Sequence, residues 1–173
     1  MVNAVLTLVM VGLLLMAVAV VGGAGFKTVS TVDDKWERMS SRYGDMGRTA
    51  IAIESATLDA PSSTVTATVR NTGAVPLLDF RRWDVWVQYY DSVDAYHQDW
   101  KEYTAADPPA DNQWDLEGIY VSAPATPEAF GPGILDPGEE AVIVLKVALQ
   151  AHASRLGRVV VGTPNGVTTS AMF

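Results

Sequence analysis

The pattern of hydrophobic positions divides the chain into an apolar helical part and a strand-rich part. Residues 1–26 contain no charged side chain, and as a helix they would extend about 39 Å, enough to cross a bilayer. Beyond them, apolar residues recur every three or four positions, at Val29, Val32, Trp36, Met39, Tyr43 and Met46. This spacing is typical of one face of a helix that packs along another surface. We therefore predict one helix over residues 1–46, named the stem.

Two sets of stem residues are candidates for packing. In the uncharged part, subunit packing in a helical core is predicted for Leu6, Val9, Leu13, Leu14, Val18, Val21 and Phe26. In the amphipathic part, the six residues from Val29 to Met46 form a seam expected to contact the head or neighbouring subunits. The simpler alternative is a single transmembrane anchor followed by a short amphipathic linker. Because the first charge is Lys27, the basic start of a cleaved signal peptide is missing. This favours either an anchor or a chain whose leader has already been removed.

Residues 47–173, named the head, have the pattern of strands. Gly44 and Gly47 end the helical pattern. Strands are predicted where β-branched or aromatic residues alternate with polar ones, or where apolar residues run together, at Thr64–Arg70, Trp83–Tyr89, Leu116–Val121, Ala141–Leu149, Arg158–Val161 and Val167–Thr169. Turn residues separate them, as at Pro164-Asn165-Gly166. The predicted fold class is α+β, a long hydrophobic helix followed by an antiparallel, immunoglobulin-like β-sandwich.

Residues 91–117 are predicted to form an acidic loop. They carry eight carboxylates against Lys101 alone, and Pro108-Pro109 and Asn112 favour irregular structure. Calcium binds oxygen-rich loops of this kind, but the residue spacing of an EF-hand is missing. A solvated acidic segment is therefore favoured over a calcium site.

Composition and motifs argue against several functions. The net charge is −8 and the isoelectric point about 4.6, which argues against nucleic acid as a partner because phosphate binding requires basic residues. The chain has no cysteine and two histidines, His97 and His152, so thiol catalysis and Cys-ligated zinc are excluded. No phosphate-binding glycine loop, nucleophile elbow or two-histidine metal motif is present. We predict no enzymatic activity, cofactor, metal or small-molecule substrate.

The aromatic residues of the head leave two uses open. Trp83, Trp86, Trp100 and Trp114 are able to line a sugar-binding face, but filling the core or forming subunit contacts is the favoured role. A secreted carbohydrate-binding or hydrolytic domain with an anchor is therefore one possible class of function, less favoured than a structural role.

An uncharged N-terminal helix extended as an amphipathic stem into a cysteine-free β head resembles the type IV pilin superfamily, and within it the archaellins and archaellum accessory proteins. In the head, the resemblance is carried by Ser63–Gly73 (STVTATVRNTG) and Leu135–Leu149 (LDPGEEAVIVLKVAL). The glutamate typical of the fifth mature position of bacterial type IV pilins is replaced by Val5, which favours an archaellin-like subunit.

The resemblance implies a structural subunit of an extracellular, archaellum-like filament at the cell surface, used for motility. Its stem would lie in the membrane before assembly and then polymerise with other copies of the chain. A filament motor and assembly platform would be its other partners. The alternatives are a membrane-anchored archaellum accessory protein whose β-sandwich binds the cell envelope, and an adhesive pilus subunit.

Overall fold

The structure is a computed structural model that describes residues 7, 10–16, 36, 39–41, 43–131 and 133–173. The chain forms two compact units, Met1–Tyr43 and Gly44–Phe173, each of which is described by itself. Residues 7, 10–16, 36, 39–41 and 43–48 are helical. The rest of the predicted stem helix lies outside the described residues. Within the described ranges, no helix combines the length and apolar character needed to cross a membrane.

Nine strands make up most of the second unit. They are β1 Ile51–Asp59, β2 Thr64–Asn71, β3 Asp84–Tyr90, β4 Tyr96–Tyr103, β5 Gln113–Ser122, β6 Thr126–Pro127, β7 Glu140–Lys146, β8 Arg158–Gly162 and β9 Thr168–Met172. A short 3-10 helix, Phe80–Arg82, precedes β3.

The strands form two layers that meet at one corner. Their hydrogen-bonded order is β1-β2-β7-β5-β4-β3-β8-β9, and β6 pairs with β5. In the described part of the chain, β4 with β5 is the one parallel pairing, and it spans only Glu102 with Gln113 and Tyr103 with Trp114. This short bridge joins a layer of β1, β2, β7 and β5 to a layer of β4, β3, β8 and β9. At the other end of the order, β1 and β9 lie next to each other.

The core lies between the two layers and follows from period-two alternation along the strands. One side chain in two points inward, so each central strand contributes a row of β-branched, aliphatic or aromatic residues. The inward rows of β2, β7, β3 and β8 are buried; they comprise Val65, Ala67, Val69, Ala141, Ile143, Leu145, Val85, Val87, Tyr89, Val159 and Val161. Burying each of the larger aliphatic side chains contributes roughly 1.5–3 kcal/mol.

The predicted β-rich head is confirmed, with the strands at Thr64, Trp83, Ala141 and Arg158 close to their predicted positions. The prediction of a loop over residues 91–117 was wrong, because this segment contains all of β4 and the start of β5. The inner row of β4 is polar and its outer row carries the rings, so the alternation along this strand is the reverse of the usual one, with apolar residues inside.

Candidate functional site

The inner row of β4 is the clearest departure from an apolar core. His97, Asp99 and Lys101 are the cross-strand partners of Tyr89, Val87 and Val85, and partners in an antiparallel pair point to the same face. Three polar side chains therefore lie on the core side of β4. Because β4 reaches β5 only at its C-terminal end, most of its length is a sheet edge. Inward-pointing charges on such an edge oppose the addition of a further strand.

Lys101 ties β4 to the loop that follows it. Its side chain is fully buried, and Nζ donates to Asn112 Oδ1 at 2.7 Å, with Asp99 Oδ2 at 3.5 Å. Burial lowers the pKa of this ammonium group, while the negative charges of Asp99 and Asp111 act in the opposite direction. Asn112 has a positive φ of 62°, a conformation that asparagine adopts more readily than most residues. The buried lysine thus fixes the start of β5 against β4.

Asp91 organises the hairpin between β3 and β4. Its Oδ1 accepts hydrogen bonds from the backbone N–H groups of Val93 and Ala95, each at 2.9 Å, and Oδ2 lies 2.9 Å from His97 Nε2. The His97 ring stacks on Tyr89 with 5.2 Å between centroids. The hydrogen bond with His97, supported by the backbone N–H groups, lowers the pKa of Asp91 below its usual 3.8. One carboxylate therefore holds both the turn and the first inward side chain of β4.

We expect Asp91→Asn to destabilise the protein in a pH-dependent way. A lowered pKa means that the ionised carboxylate stabilises the folded state above about pH 3.8, and that this contribution disappears as the pH falls through the lowered pKa. Asparagine retains an acceptor for the turn but has no charge to lose. Urea titrations should therefore show a lower midpoint for the variant near pH 7 and a smaller difference near pH 3. Glu117→Gln, at an exposed position, is the control. A difference that is independent of pH would contradict the role assigned to the charge.

A second contact joins the same hairpin to the segment before β8. Arg155 Nε donates to Asp94 Oδ1 at 3.0 Å, and its guanidinium lies 5.4 Å from the centroid of the Tyr90 ring. The hydrogen bond from Arg155 lowers the pKa of Asp94. Both charged side chains are about half exposed, so this ion pair adds little stability. Its effect is to restrict where the hairpin lies.

The packing residues predicted in the stem are exposed wherever the structure describes them. Leu13 and Leu14 lie in the helical segment 10–16, and the seam residues Trp36, Met39, Tyr43 and Met46 are also helical. The remaining predicted residues lie outside the described part of the chain; these are Leu6, Val9, Val18, Val21, Phe26, Val29 and Val32. Both packing roles stay predictions.

The four tryptophans of the head separate into two pairs. Trp83 and Trp114 are buried in the core, as the favoured interpretation predicts. Trp86 and Trp100 are directly paired between β3 and β4 on the outer face of the sandwich, where they are 40% and 47% exposed. The structure therefore leaves two of the four available to a ligand.

The sequence interpretation placed His97 in a surface loop and did not select Asp91 or Lys101. A signal was present, because aromatic or amide residues alternate with His97, Asp99 and Lys101 from Tyr96 onward. That alternation has the period of a strand, but it suggests that the aromatic residues point inward, whereas His97, Asp99 and Lys101 do. Within the described residues, no three His, Asp or Glu side chains are grouped to hold a metal ion.

Comparison with known proteins identifies the fold. No family model and no curated protein matches the chain. The archaellum periplasmic stator protein FlaG from Sulfolobus acidocaldarius is similar in structure, with 21% sequence identity and a TM-score of 0.52 over 72% of this chain and 99% of that one. The complex of the archaellum periplasmic stator proteins FlaF and FlaG from the same organism matches at 20% identity, with a TM-score of 0.51 over 71% and 87% of the chains. At this identity the similarity shows a shared β-sandwich fold.

Proposed function

We propose that the chain is an accessory component of an archaellum, with a stem that anchors it in the membrane and a head that binds a component of the cell envelope outside it. The observation that carries the proposal is the similarity of fold to FlaG, which extends over 99% of that protein's chain. The role is structural and non-catalytic. It places the head in the cell envelope rather than in an extracellular filament.

Association with other components is preferred to polymerisation of the chain with itself. The second similar structure is a complex of two different stator proteins, FlaF and FlaG, and neither structure is named as a filament subunit. The filament interpretation depends on the stem alone. A membrane anchor uses the same uncharged residues, because lipid tails and packed helices are both apolar surroundings.

The polar inner row of β4 argues against one further kind of assembly, the addition of strands from one head to the next. Growth of a sheet from one copy to the next requires an edge strand that accepts a neighbour, and His97, Asp99 and Lys101 oppose this at β4. A partner that binds to the outer face of the sandwich, without adding a strand, is compatible with these charges. The head is thus suited to contact a partner through its faces and loops.

Electron microscopy of the full-length chain distinguishes the two functions. We expect protein extracted from membranes with detergent, and then returned to lipid, to appear as discrete particles. An accessory protein gives this result because its head does not polymerise. Thin helical filaments assembled from the purified chain would refute the accessory role and support the filament subunit.

Leu14→Asp should release the protein from the membrane. Leu14 lies in the helical segment 10–16 within an otherwise uncharged stretch, and an aspartate near the centre of a membrane helix costs on the order of 3 kcal/mol. That cost corresponds to a shift of roughly a hundredfold in partitioning. We expect the variant to move from the membrane fraction to the soluble fraction on ultracentrifugation. Leu14→Val, which keeps the position apolar, should behave as wild type. Equal membrane retention of Leu14→Asp would contradict an anchor that includes this residue.

A further inference from the structure

The outer side of β3 and β4 carries a row of ring and amide side chains, which we name the aromatic face. Its residues are three directly opposed cross-strand pairs, Trp86 with Trp100, Gln88 with Gln98, and Tyr90 with Tyr96. They point outward because their neighbours on β3, such as Val85 and Val87, are fully buried. The two ring pairs are four residues apart along β3, which corresponds to about 14 Å.

The rings of the aromatic face are held in place within the protein. Trp100 Nε1 donates to Asp84 Oδ1 at 3.2 Å, which fixes the plane of the indole. At the other end, Tyr90 and Tyr96 pack with 5.4 Å between centroids and an angle of 58°, and the Arg155 guanidinium lies against the Tyr90 ring. A ligand that stacks on these rings therefore meets a surface that is already ordered, which reduces the entropy cost of binding.

An open groove next to Trp100 adds polar groups to this surface. It has a volume of about 410 Å³, and Arg81, Glu102 and Thr104 line it together with the indole ring. A guanidinium, a carboxylate and a hydroxyl lie beside one flat apolar ring. Sites that hold small organic ligands combine an aromatic lining with a few polar groups in this way.

We propose that the aromatic face binds a carbohydrate chain, with one pyranose ring stacked on Trp100 and its hydroxyl groups hydrogen-bonded in the groove. The apolar C–H face of a sugar ring covers the indole, and its rim of hydroxyls matches Arg81, Glu102 and the amides of Gln88 and Gln98. The 14 Å between the two ring pairs provides room for more than a single sugar. This inference is independent of the proposed archaellum role.

The middle of the face favours a sugar over a protein partner. The cores of protein interfaces are depleted of charge and largely apolar, whereas the centre here is the pair Gln88 and Gln98. Covering these amides with an apolar protein surface would leave their donors and acceptors unpaired, at a cost of about 1–3 kcal/mol for each group. Sugar hydroxyls are able both to donate and to accept, so they satisfy the amides in either orientation.

Native gel electrophoresis through polysaccharides tests the proposal on the full-length chain. The protein is solubilised in a detergent whose head group is not a sugar, and is run through gels that contain mannan, starch, xylan or a mixed-linkage β-glucan. We expect at least one of these polysaccharides to retard the wild type. The dependence of mobility on polysaccharide concentration gives an apparent Kd. Trp86→Ala and Trp100→Ala should each raise this Kd on the order of thirtyfold, the effect of losing a tryptophan anchor.

Two matched variants make the result specific. Phe130→Ala removes a fully exposed aromatic ring outside the aromatic face and should leave retardation unchanged. Trp100→Phe keeps a flat ring and should retain more binding than Trp100→Ala, which separates stacking from any loss of structure. The proposal is overturned if none of the polysaccharides retards the wild type, or if the alanine variants migrate as the wild type does. Self-association that depends on Trp100, without retardation, would instead assign the face to a second copy of the chain.

Discussion

Replacing Trp114 with alanine should remove about 3–5 kcal/mol from the free energy of unfolding. Trp114 is fully buried at the corner where β4 and β5 meet, and its parallel pairing partner there is Tyr103. The two rings pack edge to face, with centroids 4.9 Å apart and planes at 76°. On its other side, Trp114 is opposite Leu145 of β7. One side chain thus fills the space between the layers at the corner where the pairing of β4 with β5 joins them.

Urea unfolding of the full-length chain measures this effect. A loss of 3–5 kcal/mol is a large fraction of the 5–15 kcal/mol typical of a domain, so the alanine variant should be partly unfolded at physiological temperature. Trp114 Nε1 is buried and has no hydrogen-bond partner among the described residues. Trp114→Phe therefore sacrifices no hydrogen bond and should cost much less. Trp100→Ala, a tryptophan truncation on the surface, is the control for loss of the ring itself. Equal costs for Trp114→Ala and Trp100→Ala would show that Trp114 is not part of the core.

The central strands could be predicted from the sequence because local pattern and tertiary burial agree there. Along β2, the β-branched residues between Thr64 and Val69 alternate, and the inward positions are fully buried. In β3 and at the residue just before it, the alternation of Trp83, Val85, Val87 and Tyr89 has the same outcome. In both strands a residue chosen for the core is also a good strand former. Burial in the core and strand propensity therefore favour the same residues at the same positions.

The edge at β4 could not be predicted in this way because its inner side chains are polar and find their partners in the turns on either side of the strand. Lys101 is buried on the amide of Asn112, eleven residues later. Asp91 is matched with His97 across a turn. In the sequence these residues add to a run of charges that is typical of solvent-exposed loops. Only the folded pairing shows that the charges belong to a strand, so the loop prediction failed in this segment.

The stem shows why hydrophobicity alone does not decide between polymer and anchor. An uncharged run of 26 residues indicates burial in apolar surroundings. Lipid tails and neighbouring helices meet that requirement equally well, since both are hydrocarbon surfaces. What bears on the choice between the two functions lies in the head, where the fold resembles the FlaG fold. The accessory role is therefore a proposal that starts from this likeness of fold, whereas the stem pattern suggested a filament.

Asn71 joins the end of β2 to two other parts of the head through a fully buried amide. Its Nδ2 donates to the carbonyl oxygens of Val75 and Leu135, each at 2.9 Å, and its Oδ1 accepts from the N–H of Gly73 at 3.0 Å. The turn is tight. A Cβ on Gly73 would lie 2.5 Å from the backbone nitrogen of Ala50. Asn71 therefore fixes a close backbone approach and the position of the segment that leads into β7.

Asn71→Ala should cost about 3 kcal/mol, because it removes three hydrogen bonds made by a fully buried amide. The Val75 carbonyl oxygen and the Gly73 N–H lose this partner, while the Leu135 carbonyl oxygen keeps its hydrogen bond from the Leu77 N–H. Asn71→Asp should be at least as damaging near pH 7, since it places a carboxylate oxygen where Nδ2 now faces two carbonyl oxygens. Gln98→Ala, the loss of an exposed amide, should change stability by no more than about 0.5 kcal/mol. Urea unfolding compares the three variants, and amide hydrogen exchange at Gly73 and Leu135 reports on the junction itself. If Asn71→Ala were as stable as Gln98→Ala, the three hydrogen bonds of Asn71 would contribute nothing to the stability of this junction.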